Sequence, residues 1–194
     1  NLFPYVAYAF FRSGEIGIGK DKLKYEIDEI SDSDNMLFTK GAVSIKKPVP
    51  KQVFVESGQK KSDVNIEFLT PVRIRKQEQI TEKLLFVDII KSALRRISAI
   101  DYFYGSGKVM EIETINNIIS IAQNVEKEKD TAKYVYFERF SGRQQRKVRL
   151  DGIIGAMEFY NVPAELLSVL KITEKIGLGK ATSFGLVRIK LNIL

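Results

Sequence analysis

The chain has 194 residues and carries 31 Lys and Arg against 24 Asp and Glu, a net charge of +7, with no His, Cys or Trp. An apolar share of 44% is enough to bury a core, while the missing Cys and His exclude disulfides, thiolate and imidazole metal sites, cysteine nucleophiles and the Ser–His triad. No apolar run reaches the ~20 residues that span a bilayer and no signal peptide opens the chain, so a soluble cytoplasmic protein without a membrane role is expected, with an acidic partner such as nucleic acid.

Residues 2–13 read as a helix that is apolar almost all round, with Pro4 in the first turn and Gly14 as its stop. Residues 22–30 alternate as a strand, with Leu23, Tyr25 and Ile27 on one face. Residues 31–35 form a polar turn, 42–46 and 52–56 are short strands separated by Pro48 and Pro50, and 57–63 form a polar linker. Residues 64–75 alternate as a strand with Val64, Ile66 and Phe68 on one face. Residues 82–104 form a helix whose buried stripe holds Leu85, Ile89, Ile90, Leu94 and Ile97. A second helix covers 112–125, and 126–130 is a charged turn. Strands at 134–140 and 145–160 meet at Ser141-Gly142, with Gly152 and Gly155 marking bulges or close backbone approach. A helix over 163–172, a glycine-rich loop and a strand over 183–191 complete the chain.

From residue 64 the order is β-α-β-β-α-β with one extra helix in the first crossover, which is the ferredoxin-like unit of the α+β class. Residues 1–56 hold 8 basic and 8 acidic side chains, so the whole excess of positive charge belongs to residues 57–194. Arg139, Arg143, Arg146, Lys147 and Arg149 fall within 11 residues with no acid between them. Charge runs commonly form an inert solvated face, but an inert face mixes in acids, and this density favours a polyanion-binding hairpin.

The stretch Ile16-Gly17-Ile18-Gly19-Lys20 follows the first helix and precedes a strand, and Ile176-Gly177-Leu178-Gly179-Lys180 sits in the same setting near the end. The match implies a duplicated unit. On that reading residues 1–56 are the C-terminal remnant of a first, incomplete ferredoxin-like domain, residues 57–194 are a complete second one, and about a hundred residues are expected ahead of Asn1.

The first glycine loop nearly fits a P-loop but has Asp21 in place of the Mg²⁺-binding hydroxyl and precedes a strand rather than a helix, which argues against an NTPase role. In the second loop Gly177 and Gly179 allow backbone N–H groups to approach an anion, Lys175 and Lys180 add charge, and Thr182 and Ser183 add hydroxyl donors. A tight helix-to-strand connection needing positive φ explains the same glycines, and both readings can hold together.

Residues 174–187 resemble the C-terminal glycine-rich loop of the RAMP superfamily of CRISPR-associated proteins. With Thr70-Pro71-Val72-Arg73, Arg95-Arg96, Arg139-Phe140-Ser141-Gly142-Arg143-Gln144 and Asp151-Gly152-Ile153-Ile154-Gly155, the ordered set resembles the CRISPR RNA-processing endoribonuclease family, specifically its C-terminal domain. The resemblance implies tandem ferredoxin-like domains, recognition of CRISPR repeat RNA and a metal-independent cut. In that reaction the 2′-OH attacks the adjacent phosphate, leaving a 2′,3′-cyclic phosphate and a 5′-OH. It implies no cofactor, and CRISPR repeat or guide RNA and other CRISPR-associated subunits as partners. It assigns RNA binding to Arg139, Arg143, Arg146, Lys147 and Arg149 and to the loop residues Lys175, Gly177, Gly179, Lys180, Thr182 and Ser183. Tyr134, Tyr136 and Phe137 are further candidates for base stacking, although alternation along a strand places some of them in the core. No catalytic residue carries over, because the His that many members use is absent; an isolated Lys or Tyr titrates near pH 10, far from the range of a base at neutral pH. The rival readings are a non-catalytic RAMP subunit that holds guide RNA in an effector complex, and a ferredoxin-like protein-interaction module.

Overall fold

The computed structural model describes residues 2–32, 35–48, 60–76, 79–142, 144–182 and 185–194. The chain divides into two compact units, Asn1–Gln52 and Val53–Leu194.

In the first unit, helix α1 (Phe3–Ile16) takes Pro4 in its first turn, where a missing N–H costs nothing. The helix does not stop at Gly14. That residue is buried against the Tyr25 carbonyl with no room for a Cβ, and the helix ends at Gly17, which takes φ +93°. The alternation over 22–30 becomes a strand only at β1 (Glu29–Ser31), which pairs antiparallel with β2 (Met36–Thr39). Upstream of β1, Tyr25 is drawn to the helix instead, its hydroxyl donating to the Phe10 carbonyl at 2.8 Å. Residues 42–46 form no strand, and the expected strand at 52–56 lies outside the described residues. Phe11 and Phe38 meet edge to face at 5.1 Å, while Tyr5, Val6, Tyr8 and Phe10 stay exposed on α1.

The second unit contains β3 (Lys61–Val72), β4 (Arg75–Lys76), β5 (Gln79–Ile80), α2 (Phe86–Tyr104) and α3 (Ile112–Gln123). It continues with β6 (Lys127–Asp130), β7 (Lys133–Val135), β8 (Glu138–Ser141), β9 (Arg146–Arg149), β10 (Gly152–Pro163), α4 (Ala164–Ile176) and β11 (Ile189–Ile193). The main sheet is antiparallel with the order β11-β3-β10-β6, and β7 also pairs with β10. Counting β6 and β7 together as the second strand, the order is last, first, third, second, which is the ferredoxin-like arrangement anticipated from residue 64 onward. Helix α3 is the extra helix in the first crossover.

The core follows from strand alternation and the apolar stripes of the helices. Val64, Ile66, Phe68 and Val72 of β3 and Ile153, Met157 and Phe159 of β10 pack against Ile89, Ile90, Ala93 and Leu94 of α2 and Leu166 and Leu170 of α4. Each of these side chains other than Ala93 contributes about 1.5–3 kcal/mol through burial. On the other side of the sheet β3 and its neighbours carry polar pairs, such as the Asn192 amide donating to Glu67 at 2.6 Å and Lys129 beside Glu158 at 3.4 Å.

Several boundaries differ from the sequence reading. Residues 127–130 are strand β6 rather than a turn, because backbone pairing to β10 holds them although all four side chains are exposed. Helix α2 begins at Phe86, with Leu85 exposed at its N-cap and the Asp88 carboxylate accepting the Leu85 N–H at 3.1 Å. The long strands expected at 134–140 and 145–160 each break in two, so that β8 and β9 form a separate two-stranded ribbon beyond the main sheet. Gly155 sits at a register shift with φ +112°, where a Cβ would lie 2.8 Å from Ala132 Cα. The last strand starts at Ile189, because Gly185 and Val187 both take positive φ.

Candidate nucleic-acid interface

The second glycine loop leaves α4 with a tight backbone course. Gly177 takes φ +80° and Gly179 φ +90°. The Gly177 N–H donates to Thr173 O at 2.8 Å, the Leu178 N–H to Val187 O at 2.9 Å and the Lys180 N–H to Arg73 O at 3.0 Å. These three amides therefore face the chain's own carbonyls rather than an open anion cradle. A Cβ on Gly179 would come within 2.5 Å of Arg73 O, so glycine lets the loop lie directly on the end of β3. Lys175 and Lys180 are exposed, Thr182 is half-buried with its carbonyl accepting the Gly185 N–H at 3.0 Å, and Ser183 lies outside the described residues.

The first loop has the same local form. Gly17 takes φ +93° and Gly19 φ +76°, the Gly17 N–H donates to Ser13 O at 2.8 Å, and the Ile18 N–H donates to Leu23 O at 2.9 Å. The pentapeptide match thus extends to matching dihedrals and matching hydrogen bonds. The two loops differ at the second glycine: a Cβ on Gly19 would meet nothing within 4 Å among the described residues.

Because the second loop is pinned to Arg73, Lys180 stands at the edge of a cleft of about 390 Å³ bounded by the loop, the end of β3, β4 and one face of α2. Among the described residues its cations are Arg73, Arg75, Lys76, Lys91, Arg95, Arg96 and Lys180, and its one carboxylate is Asp88. Asp88 is buried and occupied: it caps α2 and accepts from Lys76 Nζ at 3.3 Å. Arg96 Nε donates to the Ile176 carbonyl at 2.6 Å, which satisfies the end of α4 and locks α2 to the loop. Arg75, Lys91, Arg95 and Lys180 are exposed and have no ion-pair partner among the described residues. Like charges crowded around a concavity repel one another, and a bound polyanion relieves that repulsion. Phe103 and Tyr104, from the last turn of α2, line the same cleft.

The basic ribbon is arranged differently. In β8–β9 the cross-strand partners are Glu138 with Arg149, Arg139 with Val148, Phe140 with Lys147, and Ser141 with Arg146. Partners share a face and successive residues alternate, so Lys147 and Arg149 lie on one face while Arg139 and Arg146 lie on the other. Arg143 lies outside the described residues. Glu138 sits 3.7 Å from Lys147 and 3.9 Å from Arg149 and offsets part of their charge. The second face carries buried Ser141 and half-buried Val148.

Where the ribbon joins the main sheet, Arg73 Nη2 lies 3.5 Å from the buried Asp151 carboxylate and Tyr134 donates its hydroxyl to the same group. Burial and the hydrogen bond to Asp151 push the Tyr134 phenol up to about 12. Of the three stacking candidates, Tyr134 is half-buried and held by Asp151, whereas Tyr136 and Phe137 are exposed.

The sequence reading therefore placed Lys180 and the glycines at this site but did not select Arg75, Lys76, Lys91, Phe103 or Tyr104. The signal for Lys91 and Arg95 was their i,i+4 spacing on the polar side of an amphipathic helix. Nothing in the sequence brought Lys76 or Arg75 to the same place as Lys180.

Residues 66–186, more than half of the chain, match the family described as CRISPR-associated endoribonuclease Cas6. No curated protein matches the chain. Among solved structures, Thermus thermophilus Cas6 is similar with a TM-score of 0.54 at 13% identity, over 69% of this chain and 54% of that one. A Cas6 product complex is similar with a TM-score of 0.53, also at 13% identity, over 69% of this chain and 52% of that one. At such identity the likeness concerns the fold, and the chain spans about half the length of these relatives.

Proposed function

The chain belongs to the CRISPR-associated endoribonuclease Cas6 family, and from that premise we propose that it is the RNA-holding, C-terminal ferredoxin-like portion of an enzyme that cuts CRISPR repeat RNA into guide RNAs. The observation that carries this reading is the cleft beside the second glycine loop, which among the described residues has seven cations and a single, already paired carboxylate. The matching geometry of the two glycine loops supports a duplicated ferredoxin-like plan, with the first unit as the counterpart of the second domain's final helix, loop and strand. No helix among the described residues is long and apolar enough to cross a membrane, and a cytoplasmic setting is part of the proposal.

In this role the cleft supplies cations along the phosphate backbone and orients the RNA. The proposed reaction is attack of a 2′-OH on its own phosphodiester, giving a 2′,3′-cyclic phosphate and expelling a 5′-OH. It needs a base for the 2′-OH proton, an acid for the leaving oxygen and positive charge near the phosphorane. Lys91, Arg95 and Lys180 fit the last requirement. The proton-transfer roles are assigned to no residue here, since the chain has no His and the Tyr134 phenol, held protonated to about 12, is a poor base at neutral pH.

The test is fluorescence anisotropy with labelled CRISPR repeat RNA in EDTA at several salt concentrations, followed by gel analysis of the RNA. Binding that weakens steeply with salt, with the RNA left whole, is the expected result for this chain alone. Failure to bind at low salt would overturn the reading. One discrete cut with a cyclic-phosphate end would show instead that the chain carries its own proton-transfer groups.

A further inference from the structure

We propose that Phe103 and Tyr104 form a base-stacking platform at the mouth of the cationic cleft, and that the cleft therefore takes an unpaired stretch of RNA rather than a duplex. This rests on the RNA-binding reading above and specifies what part of the RNA that site receives.

Phe103 is 72% exposed and Tyr104 81% exposed, at the very end of a helix whose first half buries Ile89, Ile90, Ala93 and Leu94. Single exposed aromatics are ordinary on a protein surface. Two consecutive ones lining a cleft whose other walls are cationic are a different matter. Single-stranded nucleic acid is held by this pairing of groups: cations follow the backbone while aromatic faces accept the bases. In a duplex the bases are already stacked on one another and their faces are unavailable, so exposed rings beside the phosphate track add affinity only for an unpaired strand.

The geometry suits the task. The Phe103 and Tyr104 ring centroids are 6.4 Å apart with planes inclined by 57°, so neither ring covers the face of the other. Tyr102, by contrast, meets Phe103 edge on at 5.1 Å and lines the neighbouring apolar groove on the α2–α3 side. The platform is also held in place. The Asp101 carboxylate accepts from the Ser106 N–H at 3.1 Å and the Ser106 hydroxyl at 2.6 Å, and the Asp101 carbonyl accepts the Gly105 N–H at 2.9 Å. Gly107 takes φ +71° to close this turn. Fixing the helix end before binding lowers the ordering cost that two free aromatic side chains would otherwise impose.

Lys91 and Arg95 precede the platform on α2 by two to three turns, about 12–18 Å at 1.5 Å per residue. That axial distance matches a few extended nucleotides.

The experiment uses a short unstructured RNA carrying a single 2-aminopurine, a fully paired RNA duplex of the same length, and CRISPR repeat RNA. The wild-type chain is expected to quench the 2-aminopurine and to bind the single strand more tightly than the duplex. Phe103→Ala/Tyr104→Ala should abolish the quench and weaken single-strand binding about tenfold or more while leaving the salt slope unchanged. Phe103→Leu/Tyr104→Leu, which keeps apolar bulk without a π face, should behave like the alanine pair, and Phe103→Trp, which keeps a π face, should retain quenching. Equal binding of duplex and single strand, or leucine variants that bind and quench like wild type, would overturn the platform. So would a loss of thermal stability in the leucine pair, since that would make the rings packing groups. If wild type binds none of the three RNAs at low salt, the RNA reading itself fails; if repeat RNA binds through Lys91 and Arg95 but the aromatic variants are silent, only the platform fails.

Discussion

The basic ribbon β8–β9 and the cleft beside α2 reach positive charge by opposite routes. The ribbon draws its cations from one short stretch of sequence, and antiparallel pairing then spreads them over two faces with Glu138 among them. The cleft draws seven cations from residues 73 to 180, separated by most of a domain, and folding places them around one concavity with a single paired carboxylate among the described residues. Density along a chain and density in space are different quantities. A two-residue repeat divides a contiguous cluster, whereas a helix with cations at i and i+4 and a loop anchored to a neighbouring strand combine distant ones.

If the cleft dominates, charge reversal there has the largest effect on RNA. Lys91→Glu/Arg95→Glu should lower affinity for repeat RNA by about 10- to 100-fold at 0.1 M salt and reduce the salt slope by about one to two. Both residues are exposed and make no ion pair among the described residues, so the thermal midpoint should hold. Anisotropy titrations over a salt series, with a melting curve for each variant, would measure this; an unchanged slope would remove α2 from the interface.

The same cleft depends on the loop's seat against β3. Gly179→Ala puts a Cβ 2.5 Å from Arg73 O at a residue with φ +90°, and should destabilise the domain by about 1–3 kcal/mol. Gly19→Ala, at φ +76° but with open space around the Cβ, bears only the dihedral penalty and should cost about 1 kcal/mol. Urea denaturation of both variants checks the difference. Equal losses would mean that contact with Arg73 adds nothing.

The ribbon should matter less, and on one face more than the other. Lys147→Glu/Arg149→Glu should weaken RNA binding by about two- to fivefold, since Glu138 already tempers those charges. The same reversal at Arg139 and Arg146, on the face that carries buried Ser141, should change less. Competition titrations against the wild-type chain would rank the two pairs, and equal, large losses from both would restore the ribbon as a wrapped, two-sided site.

These contrasts mark what the sequence could and could not convey. The ferredoxin-like order from Val64 onward was legible, because β3 alternates over Val64, Ile66 and Phe68 and α2 carries an apolar stripe. Strand β6 was not, since its side chains are all charged and exposed and only backbone pairing to β10 defines it. The helix end at Gly17 was misplaced by three residues, because the glycine at 14 serves close approach to Tyr25 rather than a turn. At the site, Lys180 and its glycines announced themselves as a motif. Arg75, Lys91 and Phe103 have no motif, and their common address exists only once β3, α2 and the loop are packed together.

The junction between the two regions offers the smallest and most local test. Tyr134 donates to Asp151, Asp151 faces Arg73, and Arg73 in turn donates to the Arg149 carbonyl at the end of the ribbon and accepts the loop through its own carbonyl. The Tyr134 phenol is raised from its ordinary value of 10.0 to about 12, first by burial and then by the Asp151 hydrogen bond. A phenol whose folded value exceeds its unfolded value holds its proton longer in the native state, so between about pH 10 and 12 the native state binds more protons than the unfolded one. Stability from this group is therefore complete below pH 10 and is lost as pH rises through that window. Lysines titrate there too, so the informative quantity is the difference between wild type and Tyr134→Phe. That difference should favour wild type by up to about 1 kcal/mol at pH 8, the net worth of one hydrogen bond, and shrink towards pH 12. A difference that is constant across the window would mean that Tyr134 supports the junction by packing alone, and that the ribbon and the cleft are not joined through its proton.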